Sequence, residues 1–277
     1  MIDALTVLVV GATGNQGGAT ARHLLAGGHQ VRALVRDPSS PAAVALAELG
    51  ATLVQGDMED PSSLRRAMRG VDGVFSVQGL ADTPETLAAE VRQGINVADA
   101  AQATEVRHLV YSSVGGAERE TGIDHFESKA EVERHILAQG IPATILRPVF
   151  FMENLLMFAE AEEERVVALP VKPDRPMQLI AVDDIGAFAA DAFGSPETFL
   201  HRQIELAGDE LTFPEIAEVF TEVTGTPTRF EGLAIEGRML EWFAESGYQA
   251  DIPALRQLRP HLMTFRDFLS AQFHTEN

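Results

Sequence analysis

Residues 5–18 read Leu5-Thr6-Val7-Leu8-Val9-Val10-Gly11-Ala12-Thr13-Gly14-Asn15-Gln16-Gly17-Gly18, and this stretch decides the fold. The apolar run that opens it has the length of a buried parallel strand. The first of three evenly spaced glycines permits a tight turn, the second a close backbone approach to a pyrophosphate, and the third close packing of a helix. Residues 19–25 continue as that helix, whose N-terminus offers N–H groups to phosphates. The stretch therefore predicts a dinucleotide-binding turn, with the middle glycine one residue later than in Gly-x-Gly-x-x-Gly.

The next apolar run, residues 31–35, predicts a second strand that ends at Arg36. An NAD-binding unit carries an acidic residue here, about 20 residues past the glycines, to hold the ribose 2′-hydroxyl. Arg36 stands 19 residues after Gly17, and a guanidinium can grip a 2′-phosphate that a carboxylate would repel. The position favours NADP(H) over NAD(H). Asp37 comes next and weakens this preference, and the alternative is a solvated surface arginine.

Strands and helices alternate along the chain. Apolar runs predict strands at residues 52–55, 73–77, 107–111 and 143–146, with helices at 61–69, 84–104 and 126–139. The second half predicts strands at 178–181, 201–207 and 226–230, and helices at 183–193, 214–224 and 233–247. Alternation of this kind gives βαβ units with right-handed crossovers and a parallel sheet.

We therefore predict an α/β fold, a Rossmann-type doubly wound parallel sheet with a smaller, mainly helical C-terminal lobe. An NADP-binding domain takes residues 1–150. The lobe, for substrate or partner, takes residues 151–277 and is partly interleaved with the first domain, since no Gly/Ser-rich linker separates them. Ligands of such sheets bind beyond the carboxyl ends of the strands, so we expect a cleft at that edge.

The composition excludes several classes of function. The chain has no cysteine and therefore no disulfide, catalytic thiolate or thiolate metal site. Its eight histidines are dispersed without a paired-ligand spacing, so no metal site is predicted. No charged-then-apolar leader opens the chain, and no apolar stretch approaches the roughly 18 residues of a membrane span. We expect a cytoplasmic protein without membrane contact.

The formal net charge of −20 is concentrated in the second half of the chain. Residues 151–277 carry 9 basic and 23 acidic side chains, against 12 and 18 in residues 1–150. Direct nucleic-acid binding is not expected, because phosphates must be met by lysine and arginine. The acidic surface either keeps the protein soluble or offers a face to a basic protein partner.

Lysine is rare in this chain. Of 21 basic residues, only Lys129 and Lys172 are lysine. Lys129 lies four residues after His125, on the same face of the predicted helix, and Val132 and Ile136 extend that face. We therefore expect the face to point inward and Lys129 to be partly desolvated. The alternatives are a lysine that extends along the surface with its charge in water, and a His125 that only begins the helix.

The start of the same helix has a recognisable pattern. Asp124 and Glu127 have the form of a capping box, with Asp in place of the usual Ser or Thr. This pattern places His125 in the first turn of the helix and Lys129 one turn further on.

A set of motifs spreads over nearly the whole chain. It comprises Gly11–Gly18, Arg36, Tyr111-Ser112-Ser113, His125-x-x-x-Lys129 with Ala130-Glu131-Val132-Glu133, Gly140-Ile141-Pro142, Arg147-Pro148, Met152-Glu153-Asn154-Leu155, Val182-Asp183-Asp184-Ile185 and Ala207-Gly208-Asp209. Together these motifs resemble the NmrA-like branch of the atypical short-chain dehydrogenases/reductases. None of them identifies a substrate.

The resemblance implies NADP(H) bound along the glycine loop. The implied contacts are Gly11, Thr13, Gly14, Asn15, Gln16 and Gly17 in the loop, Arg36 at the 2′-phosphate, Asp57 and Met58 beside the adenine, Gln78 and Pro148 on the nicotinamide side, and Ser112 and Lys129. Members of the wider superfamily use a Tyr-x-x-x-Lys pair in which the tyrosine donates a proton. In this chain His125 stands at the place of that tyrosine.

Two functions remain open at this point. In the first, an NADPH-dependent reductase acts on a small apolar or conjugated acceptor, such as a quinone, enone or aromatic compound. The predicted substrate pocket comprises Phe150, Phe151, Met152 and Leu155. Lys129 and His125 are then catalytic: Lys129 holds the nicotinamide ribose and stabilises negative charge on the acceptor, and His125 or a water supplies the proton.

In the second function, a redox sensor binds NADP(H) and acts through a protein partner. The missing tyrosine favours the sensor, whereas the retained lysine and the apolar pocket favour the reductase, which we prefer.

Overall fold

A computed structural model describes residues 4–79, 81–161 and 163–273 of the chain. Its strands are β1 (Thr6–Val9), β2 (Gln30–Val35), β3 (Thr52–Gln55), β4 (Gly73–Ser76), β5 (His108–Ser112), β6 (Ala143–Pro148), β7 (Phe150–Phe151), β8 (Arg165–Leu169), β9 (Met177–Ile180), β10 (Gln203–Leu206), β11 (Asp209–Leu211) and β12 (Thr228–Gly232). Its helices are α1 (Asn15–Ala26), α2 (Pro41–Glu48), α3 (Pro61–Ala67), α4 (Pro84–Ala103), α5 (Asp124–Ala138), α6 (Val182–Gly194), α7 (Pro196–Phe199), α8 (Phe213–Thr224), α9 (Arg238–Glu245), α10 (Ile252–Leu258) and α11 (Phe265–Phe273), with 3-10 turns at Ala117–Arg119 and Met152–Phe158.

Seven parallel strands form the central sheet in the order β10-β6-β5-β4-β1-β2-β3. The chain moves outward from β1 through β2 and β3, and then returns to the other side of β1 through β4, β5 and β6. The strand order therefore reverses between β1 and β4, where ligands of doubly wound sheets bind. This arrangement confirms the predicted α/β fold with a Rossmann-type doubly wound parallel sheet.

The sheet has helices on both faces because its strands are buried on both sides. In β1, Val7 and Val9 belong to a hydrophobic core shared with α1, α2 and α6. The alternate residue Leu8 and the following Val10 belong to a second core shared with α3, α4 and α5. Side chains of a strand point alternately to its two faces, so a continuous apolar run supplies both cores.

The second half of the chain contributes to two regions of the molecule. β10 extends the central sheet by pairing with β6, and α6 packs against α1. The contact between these helices is close, since a Cβ at Gly186 would lie 2.5 Å from the carbonyl carbon of Ala19. The other strands form a three-stranded sheet, β11-β9-β7, and a two-stranded parallel sheet, β12-β8, around a third core. The division at residue 150 stays a prediction.

Some local expectations differ from the structure. α5 begins at Asp124 with Ile123 as its N-cap, and no side chain caps it. The predicted capping box is therefore wrong, because Asp124 already lies inside the helix. Glu127 instead accepts a hydrogen bond from the backbone N–H of Gly122 at 3.0 Å. The elements that the sequence did not predict are α2, α7, α10 and α11 and the short strands β7, β8 and β11.

None of the helices within the described ranges is both long and apolar enough to cross a membrane.

Candidate functional site

The glycine loop between β1 and α1 has the geometry of a phosphate-binding turn. Gly11 has a φ of +76°, and a Cβ there would lie 2.7 Å from the carbonyl oxygen of Val77. A Cβ at Gly17 would lie 2.2 Å from the carbonyl oxygen of Gly11, so the fold itself requires both glycines. Helix α1 begins at Asn15 with Gly14 as its N-cap, and no side chain caps it. The N–H groups of the first turn are therefore free to bind an anion.

Gly14 differs from the other two glycines. A Cβ at this position would have one neighbour within 4 Å, the carbonyl oxygen of Gly11 at 3.4 Å. Its φ of −92° and ψ of 174° are open to any residue. Packing within the fold therefore requires glycine at positions 11 and 17 but not at position 14. A ligand that lies against the backbone of Gly14 would account for the absence of a side chain there.

A cavity of about 660 Å³ lies against this loop and is lined by Thr13, Gly14 and Asn15. Its other walls come from α2, the start of α6 and α11. Glu153 also lines it and was not predicted as a site residue. Its Oε1 accepts the backbone N–H of Val182 at 2.9 Å, and burial raises the pKa of its carboxyl group.

The residues predicted on the adenine side lie at the carboxyl ends of β2 and β3, which are neighbours in the sheet. Arg36 is exposed directly after β2. The backbone N–H of Asp57 donates to Ser63 Oγ at 3.0 Å, and Met58 presents its carbonyl oxygen to Asn96 Nδ2 at 3.0 Å. These contacts fix the loop after β3 against α3 and α4, and the backbone N–H of Gly56 donates to the carbonyl oxygen of Val35 at 3.0 Å, at the end of β2.

The residues predicted on the nicotinamide side lie at the carboxyl ends of β4, β5 and β6, along the same edge of the sheet. Ser112 at the end of β5 donates to Gln16 Oε1 at 2.6 Å, and Pro148 ends β6. Gln78 is buried, and its Nε2 donates to Ser76 Oγ at 3.0 Å. Within the described residues, Gln78 Oε1 and Ser113 Oγ are buried without a hydrogen-bond partner. Such atoms are costly unless something pairs with them, and a bound ligand could do so.

His125 and Lys129 both lie in the first half of α5, as predicted. The side chain of Lys129 is 15% exposed, so it is largely desolvated, as expected. Its Nζ lies 2.7 Å from Oε1 of Glu90 on α4. His125 is half-buried with its ring edge-on to Phe126. Burial and the neighbouring charge of Lys129 lower the pKa of His125 below its usual value of 6.5.

Glu90 was not among the predicted site residues. The available signal was a carboxylate on the inward stripe of a predicted helix, where Gly94, Val97 and Ala101 are otherwise small or apolar. A charged residue on such a stripe indicates a buried partner on the neighbouring element.

The four predicted substrate-pocket residues fall into two groups. Phe150 and Phe151 form β7 and are half-buried. Met152 and Leu155 are fully buried in the third core. The assignment of these residues to a pocket stays a prediction, and only the two phenylalanines keep accessible surface for a ligand.

The residues present fit a dinucleotide cofactor. An uncapped helix N-terminus follows the tight glycine turn, Gly14 leaves room for a close ligand, and unpaired buried polar atoms lie at the adjoining strand ends. The roles of the individual site residues stay predictions.

Comparisons with known proteins agree with this geometry. An NmrA-like family domain-containing oxidoreductase of Aspergillus hancockii is 32% identical over 251 residues, covering 82% of this chain and 75% of the relative. An NAD(P)H azoreductase of Xenophilus azovorans is 29% identical over 230 residues, covering 83% and 78%. Triphenylmethane reductase of Citrobacter sp., solved in complex with NADP(H), superposes with a TM-score of 0.81 at 23% identity, covering 96% of this chain and 99% of that one. The NmrA-like family model matches residues 3–261, and the chain therefore belongs to the NmrA-like family, as its motifs predicted.

Proposed function

We propose that this protein is an NADPH-dependent reductase that transfers hydride to a small, conjugated, apolar acceptor. One observation carries the proposal: Lys129 is largely desolvated and lies on α5. This helix follows β5, whose last residue, Ser112, is hydrogen-bonded to Gln16 in the first turn of α1. We assign the pyrophosphate to the glycine loop and its uncapped helix, and we assign to Lys129 the positive charge that a reacting carbonyl or conjugated system needs.

The proposed cofactor contacts follow the carboxyl edge of the sheet. They are Gly11, Thr13, Gly14, Asn15, Gln16 and Gly17 at the pyrophosphate, Arg36 at the 2′-phosphate, Asp57 and Met58 at the adenine, and Gln78, Ser112, Lys129 and Pro148 toward the nicotinamide. When bound, NADPH supplies the hydride. The other contributions come from side chains of this chain and, for the proton, from His125 or a water.

Lys129 and His125 have different roles in the proposed reaction. The ammonium of Lys129 orients the nicotinamide ribose and stabilises the negative charge that develops on the acceptor as the hydride arrives. The imidazolium of His125, or a water, then gives the proton that completes the two-electron reduction. Because the pKa of His125 is lowered, the protonated form is populated mainly below pH 6.5. A water is the alternative proton source when the imidazole is neutral.

The acceptor class follows from the apolar side of the cleft. Phe150 and Phe151 keep accessible surface next to Pro148, and aromatic faces favour flat, conjugated molecules. The likeness to an NAD(P)H azoreductase supports an acceptor of this kind.

The experiment is NADPH oxidation, followed by absorbance, against a panel of quinones, enones, aldehydes, azo compounds and triarylmethane dyes. We expect turnover with conjugated acceptors and little with simple aldehydes. Tight NADPH binding with no oxidation by any acceptor would overturn the proposal. That result would favour the sensor hypothesis, for which the acidic residues 151–277 offer a face to a basic partner.

A further inference from the structure

A buried carboxylate lies behind Lys129. The side chain of Glu90 is 2% exposed, and its two oxygens accept hydrogen bonds from Lys129 Nζ and Ser128 Oγ. Among the described residues, Glu90 is the only hydrogen-bond partner of Lys129 Nζ. An ammonium has three donors, so two remain without a partner among the described residues.

The backbone of α4 and α5 fixes this pair. One turn after Glu90, a Cβ at Gly94 would lie 2.7 Å from Cγ2 of Val132, so glycine lets the two helices approach closely at this level. Val132 in turn lies one turn after Lys129 and is fully buried. The close contact next to the ion pair limits how far Glu90 and Lys129 can separate.

Stability alone gives little reason for such a pair. Desolvating two charges offsets much of their attraction, and apolar side chains of similar volume are often as stable. Glu90 also stands on an otherwise small or apolar stripe of α4. A carboxylate at this position therefore favours a role in fixing the ammonium of Lys129 over a role in stability.

We propose that Glu90 is a positioning residue that holds the ammonium of Lys129 in place for the nicotinamide ribose and the acceptor. The inference rests on the proposed function, because it gives Lys129 its role in that site. Glu90 itself touches neither cofactor nor acceptor. Ser128 fixes the second carboxylate oxygen, so that the first remains directed at Nζ.

The test is a double-mutant cycle of Glu90→Gln and Lys129→Met, read out as NADPH affinity by fluorescence titration. In the wild-type background, Glu90→Gln weakens NADPH binding about fivefold, because an amide lacks the charge that holds the ammonium. In the Lys129→Met background it changes the affinity by less than about twofold, because the residue through which Glu90 acts is gone. With an acceptor present, Glu90→Gln lowers kcat and leaves the KM of the acceptor unchanged.

A matched control is Glu133→Gln. The side chain of Glu133 is 5% exposed and lies one turn after Lys129 on α5, but it pairs with Arg147 at 2.6 Å and not with Lys129. This variant loses stability but changes NADPH affinity by less than about twofold, because it removes a buried carboxylate of structural role only. If Glu90→Gln does not fold, Ser128→Ala takes its place, with a smaller loss of affinity in the same direction.

Equal losses from Glu90→Gln in both backgrounds, or no loss in either, would overturn the proposal and leave Glu90 as a structural ion-pair partner. Lys129→Met without any effect on NADPH affinity would also overturn it. A wild-type protein that binds NADPH but reduces no acceptor refutes only the reductase proposal, since the cycle is measured on binding.

Discussion

Ser112 Oγ donates a 2.6 Å hydrogen bond to Gln16 Oε1, and this contact joins the end of β5 to the first turn of α1. Helix α5, which follows β5 in the chain, carries the candidate proton donor and lysine, whereas α1 follows the phosphate-binding turn. The bond therefore couples the two ends of the candidate site across β4.

Arg36→Glu should abolish the preference for NADP(H). The wild-type protein is expected to bind NADPH at least about tenfold more tightly than NADH, because the exposed guanidinium pairs with the 2′-phosphate. Calorimetric titration with both cofactors measures this preference. Arg65→Glu is the control, since Arg65 is also exposed but lies on α3. Equal wild-type affinities for NADPH and NADH would refute the assignment of Arg36.

Gly14→Val should lose cofactor binding but not stability, whereas Gly17→Ala should lose stability. Gly14→Val is expected to keep the unfolding temperature and lose NADPH binding, since its Cβ meets little of the protein but stands against the ligand. Gly17→Ala should cost about 2 kcal/mol or more of stability, because its Cβ would overlap the Gly11 backbone. Thermal unfolding and titration on each variant separate the two effects. A folded Gly14→Val protein with normal NADPH binding would mean that the phosphate loop is misassigned.

Lys129→Met should lower turnover by about 100-fold or more, the loss expected when a charge stabiliser leaves a water-poor site. The second lysine of the chain supplies the control. Lys172 is exposed in the loop before β9, so Lys172→Met should leave turnover unchanged. Steady-state rates on the best acceptor decide the matter, and an unchanged rate for Lys129→Met would contradict the mechanism.

His125→Phe should cost less than Lys129→Met, about tenfold in turnover at low pH, because a water can replace a proton donor. The protonated imidazole is lost as the pH rises, so the wild-type rate should fall across a step centred below pH 6.5. The step should be absent in His125→Phe. A pH–rate profile of both proteins provides the test, and a step retained by the variant would show that another group titrates.

His108 should make the fold sensitive to acid. Burial and the nearby His201 lower the pKa of His108 to about 4, and its Nε2 lies 2.8 Å from Thr144 Oγ1. The unfolded chain therefore binds a proton more readily, and stability falls as the pH drops from 6.5 to about 4, by about 3 kcal/mol in total. His108→Gln should flatten this dependence in denaturant titrations at several pH values. The exposed His261 gives the control His261→Gln, which should leave the dependence as it is.

The sequence predicted best what local pattern determines. The apolar run ending at Val10 and the spacing of Gly11, Gly14 and Gly17 were sufficient for the strand, turn and helix around the cofactor site. Family motifs then assigned most of the cofactor contacts from Arg36 to Pro148, and these assignments stay predictions. These features depend on residues close together in the chain, where periodicity and turn geometry act directly.

The features that were missed depend on packing between distant segments. Glu90 and Lys129 are 39 residues apart, and their contact follows from the close crossing of α4 and α5 at Gly94. The capping box failed because α5 begins two residues earlier than its apolar pattern indicated, which leaves Asp124 inside the helix. Neither outcome can be read from a single segment.

The pairing of β10 with β6 has a consequence for synthesis of the chain. β6 is complete at Pro148, but its outer edge stays unpaired until Gln203–Leu206 have left the ribosome. α6, which covers α1, also emerges only with residues 182–194. A nascent chain that ends near residue 150 thus exposes a hydrogen-bonding strand edge and part of an apolar core, and it depends on later residues or a chaperone for protection from aggregation.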